Sequence, residues 1–176
     1  MVEFLRKLIG FFDRFNIPYM LSGSMAMTTY TLDRYTKDFD FVVHLKPSDV
    51  PHLISYFNEG FYYDEDSVKE AIRLKGMFNI IDHNSHYKSD FFILSDDEFE
   101  RTKFERRKLI SFLDFKIFVI SLEDLILSKF IWIQKIQSAL QTNDIIRLSQ
   151  LDDIDWKYIW YWIDRLKLNT FELLQK

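Results

Sequence analysis

Two acidic residues head an apolar run in the stretch Arg34-Tyr35-Thr36-Lys37-Asp38-Phe39-Asp40-Phe41-Val42-Val43. The run predicts a β-strand over 38–45, and side chains two positions apart on a strand point to the same face. Asp38 and Asp40 would therefore lie side by side. Two neighbouring carboxylates without a counter-charge are costly to bury, and a bound cation removes that cost. Since their oxygen ligands suit Mg²⁺ or Mn²⁺, the stretch predicts a divalent-metal site.

A glycine–serine pair lies upstream of this strand and is a candidate for binding phosphate. Gly23-Ser24 follows the apolar run 17–21 and precedes a segment, 24–32, that reads as a helix. Free backbone N–H groups at a helix start attract anions. Magnesium in proteins commonly takes phosphate oxygens from a substrate, so a metal site of this type predicts a phosphate-bearing ligand.

Composition limits the class of protein. The chain has 176 residues, 48% of them hydrophobic, with no Cys and a net charge of −4. This length fits one domain, or a core with a small helical extension. The absence of Cys excludes a disulfide scaffold and thiol catalysis and favours a reducing cytoplasm. No apolar stretch reaches the ~18 residues of a membrane span, so we expect no membrane partner. The basic residues between 101 and 108 form either a local nucleic-acid patch or, more simply, a solvated face.

Hydrophobic periodicity divides the chain into an α/β part and a helical part. The α/β part, 1–120, is predicted to contain helices 2–16, 24–32, 48–58 and 65–74, strands 17–21, 38–45, 77–82 and 89–94, and a hairpin over 108–120. Predicted helices in the C-terminal part, 121–176, cover 121–140, 142–150 and 154–166.

Four segments together resemble the nucleotidyltransferase superfamily to which DNA polymerase β belongs. They are Pro18–Ala26, Arg34–Asp40, Lys88–Phe91 and Ser121–Lys129. The likeness is closer to small bacterial minimal nucleotidyltransferases and to the transferase toxins of abortive-infection type IV toxin–antitoxin systems. It implies a nucleotidyltransferase fold, of α/β (α+β) class, with a mixed β-sheet flanked by helices and followed by a C-terminal helical extension. The gap between Ser24 and Asp38 is longer than in the shortest form of the motif.

The resemblance also implies a role for each carboxylate. Asp38 and Asp40 would coordinate the metal, and Asp90 would complete the catalytic site and assist deprotonation of the attacking hydroxyl. From the residues alone, Asp90 could instead be a strand-edge acid paired with Lys88 or with an arginine.

Further residues are candidates for binding the nucleotide. Gly23 and Ser24 would hold the β and γ phosphates, and Lys129 would reach the triphosphate, although a snorkelling lysine fits its position equally well. Arg34, Thr36 and Lys37 complete this set, and Arg34 and Lys37 could instead neutralise the acids. Asp144 matches an acid of the family's helical part, but it can also be read simply as a first-turn helix acid.

The implied activity is transfer of a nucleoside monophosphate from a nucleoside triphosphate, ATP among them, to a hydroxyl, with Mg²⁺ or Mn²⁺ and release of pyrophosphate. The acceptor, a tRNA, a protein or a small molecule, is left open by the sequence. A cognate antitoxin or another partner protein would follow if the chain belongs to a toxin–antitoxin or defence pair. The alternative is a catalytically inactive transferase-fold module that senses nucleotides or binds a protein.

Overall fold

The computed structural model describes residues 1–31 and 36–174, which form one mixed sheet and its surrounding helices. The helices are α1 (Val2–Arg14), α2 (Gly23–Met27), α3 (Val50–Tyr56), α4 (Glu65–Leu74), α5 (Glu98–Glu105), α6 (Leu122–Lys135), α7 (Ala139–Leu148) and α8 (Trp156–Arg165). The strands are β1 (Tyr19–Ser22), β2 (Asp38–Val43), β3 (Phe61–Tyr62), β4 (Met77–Asp82), β5 (Lys88–Ile93), β6 (Lys108–Phe112) and β7 (Phe115–Val119).

The acidic strand β2 lies at the centre of this sheet. The sheet has seven strands in the order β3-β4-β5-β2-β1-β7-β6. β2 runs antiparallel to β1 and parallel to β5, and β1 runs parallel to β7. This arrangement confirms the predicted mixed α/β class and brings the acidic segments around residues 40 and 90 onto adjacent strands.

Strand alternation gives β2 and β5 one apolar face and one face that bears charges. Phe39, Phe41 and Phe91 are fully buried on the apolar face. Phe12 of α1 packs its ring against Phe41 and Phe91, with centroids 5.2 and 5.9 Å away. Many of the phenylalanines of the sequence therefore form the core between α1 and the sheet, and the opposite face is left for the carboxylates.

The helix predicted over 24–32 is shorter in the structure, where α2 ends at Met27. The Thr28 hydroxyl donates to the Met25 carbonyl and the Thr29 hydroxyl donates to the Ala26 carbonyl, each at 2.7 Å. Such local bonds compete with the helical ladder, which explains why the helix stops at this pair of threonines.

Helix α5 was not predicted, and it restricts the interpretation of residues 101–108 as a solvated face to part of the run, in which Arg101, Glu105 and Lys108 are exposed. Asp97 caps it by accepting bonds from the backbone N–H groups of Phe99 and Glu100. Lys103 on this helix is buried. Arg106, just after the helix, is only partly exposed and bonds to buried carboxylates of α6.

A buried charge network joins the end of α5 to α6 and α8. The Arg106 guanidinium donates to Asp124 at 3.1 Å and to Glu123 at 3.2 Å, and it lies 3.9 Å from the centre of the Tyr158 ring. The Tyr158 hydroxyl donates to the other oxygen of Asp124 at 2.6 Å. The C-terminal helices are therefore attached to the α/β part through satisfied buried groups. A division of the chain at residue 120 stays a prediction.

No helix within the described residues has the length and hydrophobicity needed to cross a membrane.

Candidate active site

Asp40 and Asp90 face each other on adjacent strands. They are register partners in the parallel pair of β2 and β5, as are Asp38 and Lys88. The Asp90 side chain is only 13% exposed, and the Lys88 ammonium donates to its Oδ2 atom at 2.8 Å. Its buried Oδ1 atom has no hydrogen-bond partner among the described residues. Such an oxygen is costly to bury, so the site favours an additional positive group.

Electrostatics at Asp40 lead to the same conclusion. The pKa of Asp40 is raised to about 6, first by burial and then by the charges of Asp90 and Asp38, against the opposing effects of Lys88 and Lys129. The hydrogen bond to Asp90 raises the pKa of Lys88, so this lysine stays charged. Negative charge thus exceeds positive charge around Asp40 even with two lysines nearby.

Gly23 is packed directly against the Asp40 carboxylate. Its φ is +61°, and a Cβ built at this position would lie 1.9 Å from Oδ2 of Asp40. The left-handed conformation and the close contact both require glycine. The sequence predicted a functional Gly23 for its backbone N–H, and the structure adds that this residue makes room for the acid.

A cavity of about 420 Å³ opens between this face of the sheet and the helices α5 and α6. Its polar wall contains the turn after β1 and the central acid, with two residues of the helical region: Ser22, Gly23, Ser24, Asp40, Lys129 and Gln141. Three predicted nucleotide-binding residues, Gly23, Ser24 and Lys129, therefore line the same cavity as Asp40.

Lys129 is buried, so the interpretation as a snorkelling lysine is wrong. Its ammonium donates to Asp144 at 2.8 Å and to Gln141 at 2.9 Å. Asp144 lies in the second turn of α7 and is buried with it, which also overturns its interpretation as a first-turn helix acid. The pair keeps a charged ammonium at the cavity wall.

Part of the cavity lining is apolar. It consists of Val42, Phe92, Leu125, Ile131 and Trp132. The rings of Phe92 and Trp132 are substantially exposed, at 41% and 46%. This wall offers the cavity flat apolar surface of the kind on which nucleobases and other planar groups pack.

Sequence reasoning missed two charged residues of the cavity, Glu100 and Lys103. They belong to α5 and pair at 2.6 Å, and the Lys103 ammonium also reaches the Ser128 hydroxyl at 3.4 Å. In the sequence, Glu100 and Lys103 belong to a run of charged residues, and such a run predicts exposed positions. The signal that could have located them was the cap Asp97, which starts a helix.

The remaining predicted residues lie before or at the start of β2. Asp38 is exposed at the beginning of the strand, and its backbone N–H donates to the Thr36 hydroxyl at 3.2 Å. Lys37 is exposed. Thr36, Lys37, Asp38 and Asp90 are not among the residues that line the cavity. Arg34 lies outside the described residues.

The donor set fits a cation that takes only part of its ligands from protein. Within 1–31 and 36–174, no three His, Cys, Asp or Glu side chains come together as a complete metal site. Asp40 and Asp90 nevertheless supply carboxylate oxygens from paired strands, and the described part of the chain offers no hydrogen-bond partner to the buried Oδ1 atom of Asp90. Mg²⁺ commonly binds through one or two carboxylates, with water and substrate phosphates completing its shell.

A second cavity, of about 690 Å³, lies at the other end of β2. It is lined by residues of the β2–α3 connection and of α3 and α4, including His44, Lys46 and Arg73. None of the described residues predicted for the site borders it, so we place the candidate site in the smaller cavity.

Comparison with solved structures identifies the fold. The solution structure of the antibiotic-resistance factor ANT(2'')-Ia aligns with a TM-score of 0.63 at 13% identity, over 94% of this chain and 92% of that one. The lincomycin-bound crystal structure of the lincosamide antibiotic adenylyltransferase LnuA aligns with a TM-score of 0.56 at 14% identity, over 83% of this chain and 94% of that one. An antigenic nucleotidyltransferase-like protein from Paracoccidioides brasiliensis aligns with a TM-score of 0.52 at 16% identity, over 81% and 74%.

These likenesses confirm the nucleotidyltransferase fold expected from the sequence. No protein-family model matches the chain, and the search of curated proteins found no match. At these identities the similarity establishes the fold, and activity has to be argued from the site itself.

Proposed function

We propose that the chain is a metal-dependent nucleotidyltransferase that moves a nucleoside monophosphate from a nucleoside triphosphate to a hydroxyl. The observation that carries this proposal is the register of Asp40 opposite Asp90, with Gly23 packed on Asp40 and with Gly23, Asp40 and Lys129 lining the same cavity. The proposal is supported by the fold, which is shared with nucleotidyltransferases, and by Gly23, Ser24 and Lys129, which line one cavity with Asp40.

The chain's own residues bind and orient the triphosphate. Ser24 and the backbone at Gly23 lie beside Asp40 and would hold the β and γ phosphates. The Lys129 ammonium, kept in place by Asp144 and Gln141, would neutralise charge on the same phosphates. The apolar wall around Phe92 and Trp132 would pack against the base or the acceptor.

Asp40 and Asp90 would hold Mg²⁺ or Mn²⁺, with Asp38 contributing from the exposed start of β2. When bound, the ion neutralises charge on the transferring phosphoryl group and on the leaving pyrophosphate. Fixed carboxylates on two hydrogen-bonded strands suit this task because phosphoryl-type transfer depends on positioning and charge neutralisation more than on covalent chemistry.

In the proposed reaction, the acceptor oxygen forms a bond to the α-phosphorus while the bond from that phosphorus to the bridging oxygen of the β-phosphate breaks. Pyrophosphate leaves with this bonding electron pair. The hydroxyl proton passes to a carboxylate oxygen of Asp90, which lies beside Asp40 in the sheet. Lys129 would stabilise the negative charge that develops on the leaving pyrophosphate.

The neighbours suggest an order for testing substrates. LnuA is named as an adenylyltransferase of a lincosamide antibiotic and ANT(2'')-Ia as an antibiotic-resistance factor, so ATP and hydroxyl-bearing small molecules come first. Protein and tRNA acceptors come next. None of the three names mentions a toxin–antitoxin system, and that role stays a prediction.

The experiment is a thermal-shift measurement with each of the four nucleoside triphosphates, with and without Mg²⁺. The proteins are the wild type, Asp40→Asn, Asp90→Asn and the control Asp66→Asn, whose side chain is 95% exposed on α4. Ligand that binds the folded state raises its melting temperature by mass action. We expect a Mg²⁺-dependent rise in the wild type and in Asp66→Asn, and none in the two site variants. Equal shifts in all four proteins would contradict the assignment of the site.

A further inference from the structure

Lys88 occupies a carboxylate oxygen that the proposed metal would use. Lys88 and Asp90 are two positions apart on β5 and share a face, and the ammonium lies 2.8 Å from Oδ2 of Asp90. Across the strand pair, Lys88 stands opposite Asp38 and Asp90 stands opposite Asp40. Three acids and one base therefore surround the same small area of the sheet.

The ammonium and a divalent cation are alternatives at this position. The ammonium and the cation are attracted by the same group of negative charges. A metal ion bound to Asp90 would repel the Lys88 ammonium, which lies 2.8 Å from the Oδ2 atom of Asp90. Lys88 can move away because its side chain is 38% exposed and carries a flexible four-carbon stem. Asp90 cannot follow, since it belongs to a strand paired on both sides.

We propose that Lys88 is an internal competitor of the divalent cation, which lowers the metal affinity of the free protein. This inference rests on the proposed function, because it takes Asp40 and Asp90 as metal-binding groups. Triphosphate would relieve the competition, since phosphate oxygens offer the displaced ammonium a new partner. Metal would then bind weakly to the free protein and well in the presence of nucleotide, which protects an open site from binding metal without substrate.

The test is the affinity for Mn²⁺ alone, measured from the electron paramagnetic resonance signal of the free ion. In Lys88→Gln the metal no longer has to displace a charge-assisted hydrogen bond, and we expect about tenfold tighter binding. The matched control is Lys37→Gln, which removes an exposed lysine next to Asp38 and leaves the pair of Lys88 and Asp90 intact. We expect it to change the affinity about twofold or less.

Lys88→Arg keeps the charge and can hold a carboxylate through two N–H groups, so it should bind Mn²⁺ more weakly than the wild type. If Lys88→Gln does not fold, Lys88→Arg is the deciding variant. A Mn²⁺ affinity of Lys88→Arg equal to or above that of the wild type would then overturn the inference. If Lys88→Gln does fold, an affinity no higher than that of Lys37→Gln would overturn it.

The outcome also separates this inference from the proposed function. Equal Mn²⁺ affinity in the wild type and in Lys88→Gln would refute the competition by Lys88 but would not contradict the proposed metal site. Failure of every one of these proteins to bind Mn²⁺, both alone and with ATP present, removes both.

Discussion

The Oδ2 atom of Asp40 lies 1.9 Å from the place that a Cβ on Gly23 would occupy. A side chain at position 23 would therefore collide with the Asp40 carboxylate, so Gly23 cannot be replaced without displacing that acid. This contact couples the turn after β1 to the acidic strand β2.

Gly23→Ala should displace Asp40 and abolish binding of triphosphate. Left-handed strain and overpacking together should lower the free energy of unfolding by about 2 to 5 kcal/mol. Gly60→Ala is the matched control, because Gly60 also has a positive φ, of +79°, but a Cβ added there would have its nearest neighbour 3.6 Å away. Gly60→Ala should lower the free energy of unfolding by only about 1 kcal/mol and should still bind triphosphate. Urea unfolding and triphosphate titration check both variants, and equal losses in the two would refute the role of the contact.

Asp40→Asn should stabilise the protein in EDTA, and increasingly so at higher pH. The folded-state pKa of Asp40, about 6, lies above the ordinary 3.8. Between these values the native state holds more protons than the unfolded state, so the wild type loses stability as pH rises through this window. Because asparagine does not titrate, Asp40→Asn removes this loss of stability with rising pH.

We therefore expect the difference between Asp40→Asn and the wild type to grow from pH 4 to about 6.5 and then level off, at no more than about 3 kcal/mol. Urea unfolding over this pH range measures it. Asp38→Asn is the control, since Asp38 is exposed on the same strand and should change stability little. A difference that shrinks as pH rises would show the sign to be wrong.

Lys129→Met should cost about 3 to 5 kcal/mol of stability, because it leaves Asp144 charged and buried without its ammonium. The double variant Lys129→Met/Asp144→Leu replaces both charges and should regain most of that loss. It should still fail to bind triphosphate if Lys129 contacts the phosphates. Calorimetric titration with ATP and Mg²⁺ on the stable double variant tests this, and normal binding would assign the pair a purely structural role.

Tyr158→Phe should lower the free energy of unfolding by about 1.5 to 3 kcal/mol, since it removes a hydrogen bond to the buried carboxylate of Asp124. Burial, and then this bond, raise the pKa of Tyr158 well above its usual range, so the phenol is the donor at any physiological pH. Tyr161→Phe, on the same helix and 52% exposed, should stay within about 0.5 kcal/mol of the wild type. Comparable losses in the two variants would contradict the network.

Local patterns in the sequence predicted most of this structure. The predicted strands that carry Asp40 and Asp90 were confirmed because alternation over six residues identifies a strand and its faces. Helix α4 was predicted with its observed bounds, 65–74, and in the structure Asp64 caps its start and Lys75, in the left-handed conformation, ends it. These signals come from residues close together in the sequence, and they do not depend on tertiary contacts.

The features that were missed depend on contacts between distant segments. Helix α5 presents few apolar residues and many charges, so its periodicity is weak, yet burial of Phe99 and Phe104 against the rest of the fold stabilises it. The bond between Lys129 and Asp144 joins two helices. Neither the depth of Lys129 nor the register of Asp40 with Asp90 follows from spacing along the chain, because both are set by tertiary packing.

The parallel pairing of β2 with β5 also has a consequence for how the chain reaches its native state. The bond from Ser89 to Phe39 joins residues 50 positions apart, across α3, β3, α4 and β4. Contacts of such long range form late and slowly, after the intervening loop has been closed. The repulsion between Asp40 and Asp90 arises when this pair of strands forms, so it opposes the pairing of β2 with β5. A metal ion held by the two acids, as proposed, would remove this repulsion and so favour closure of the sheet.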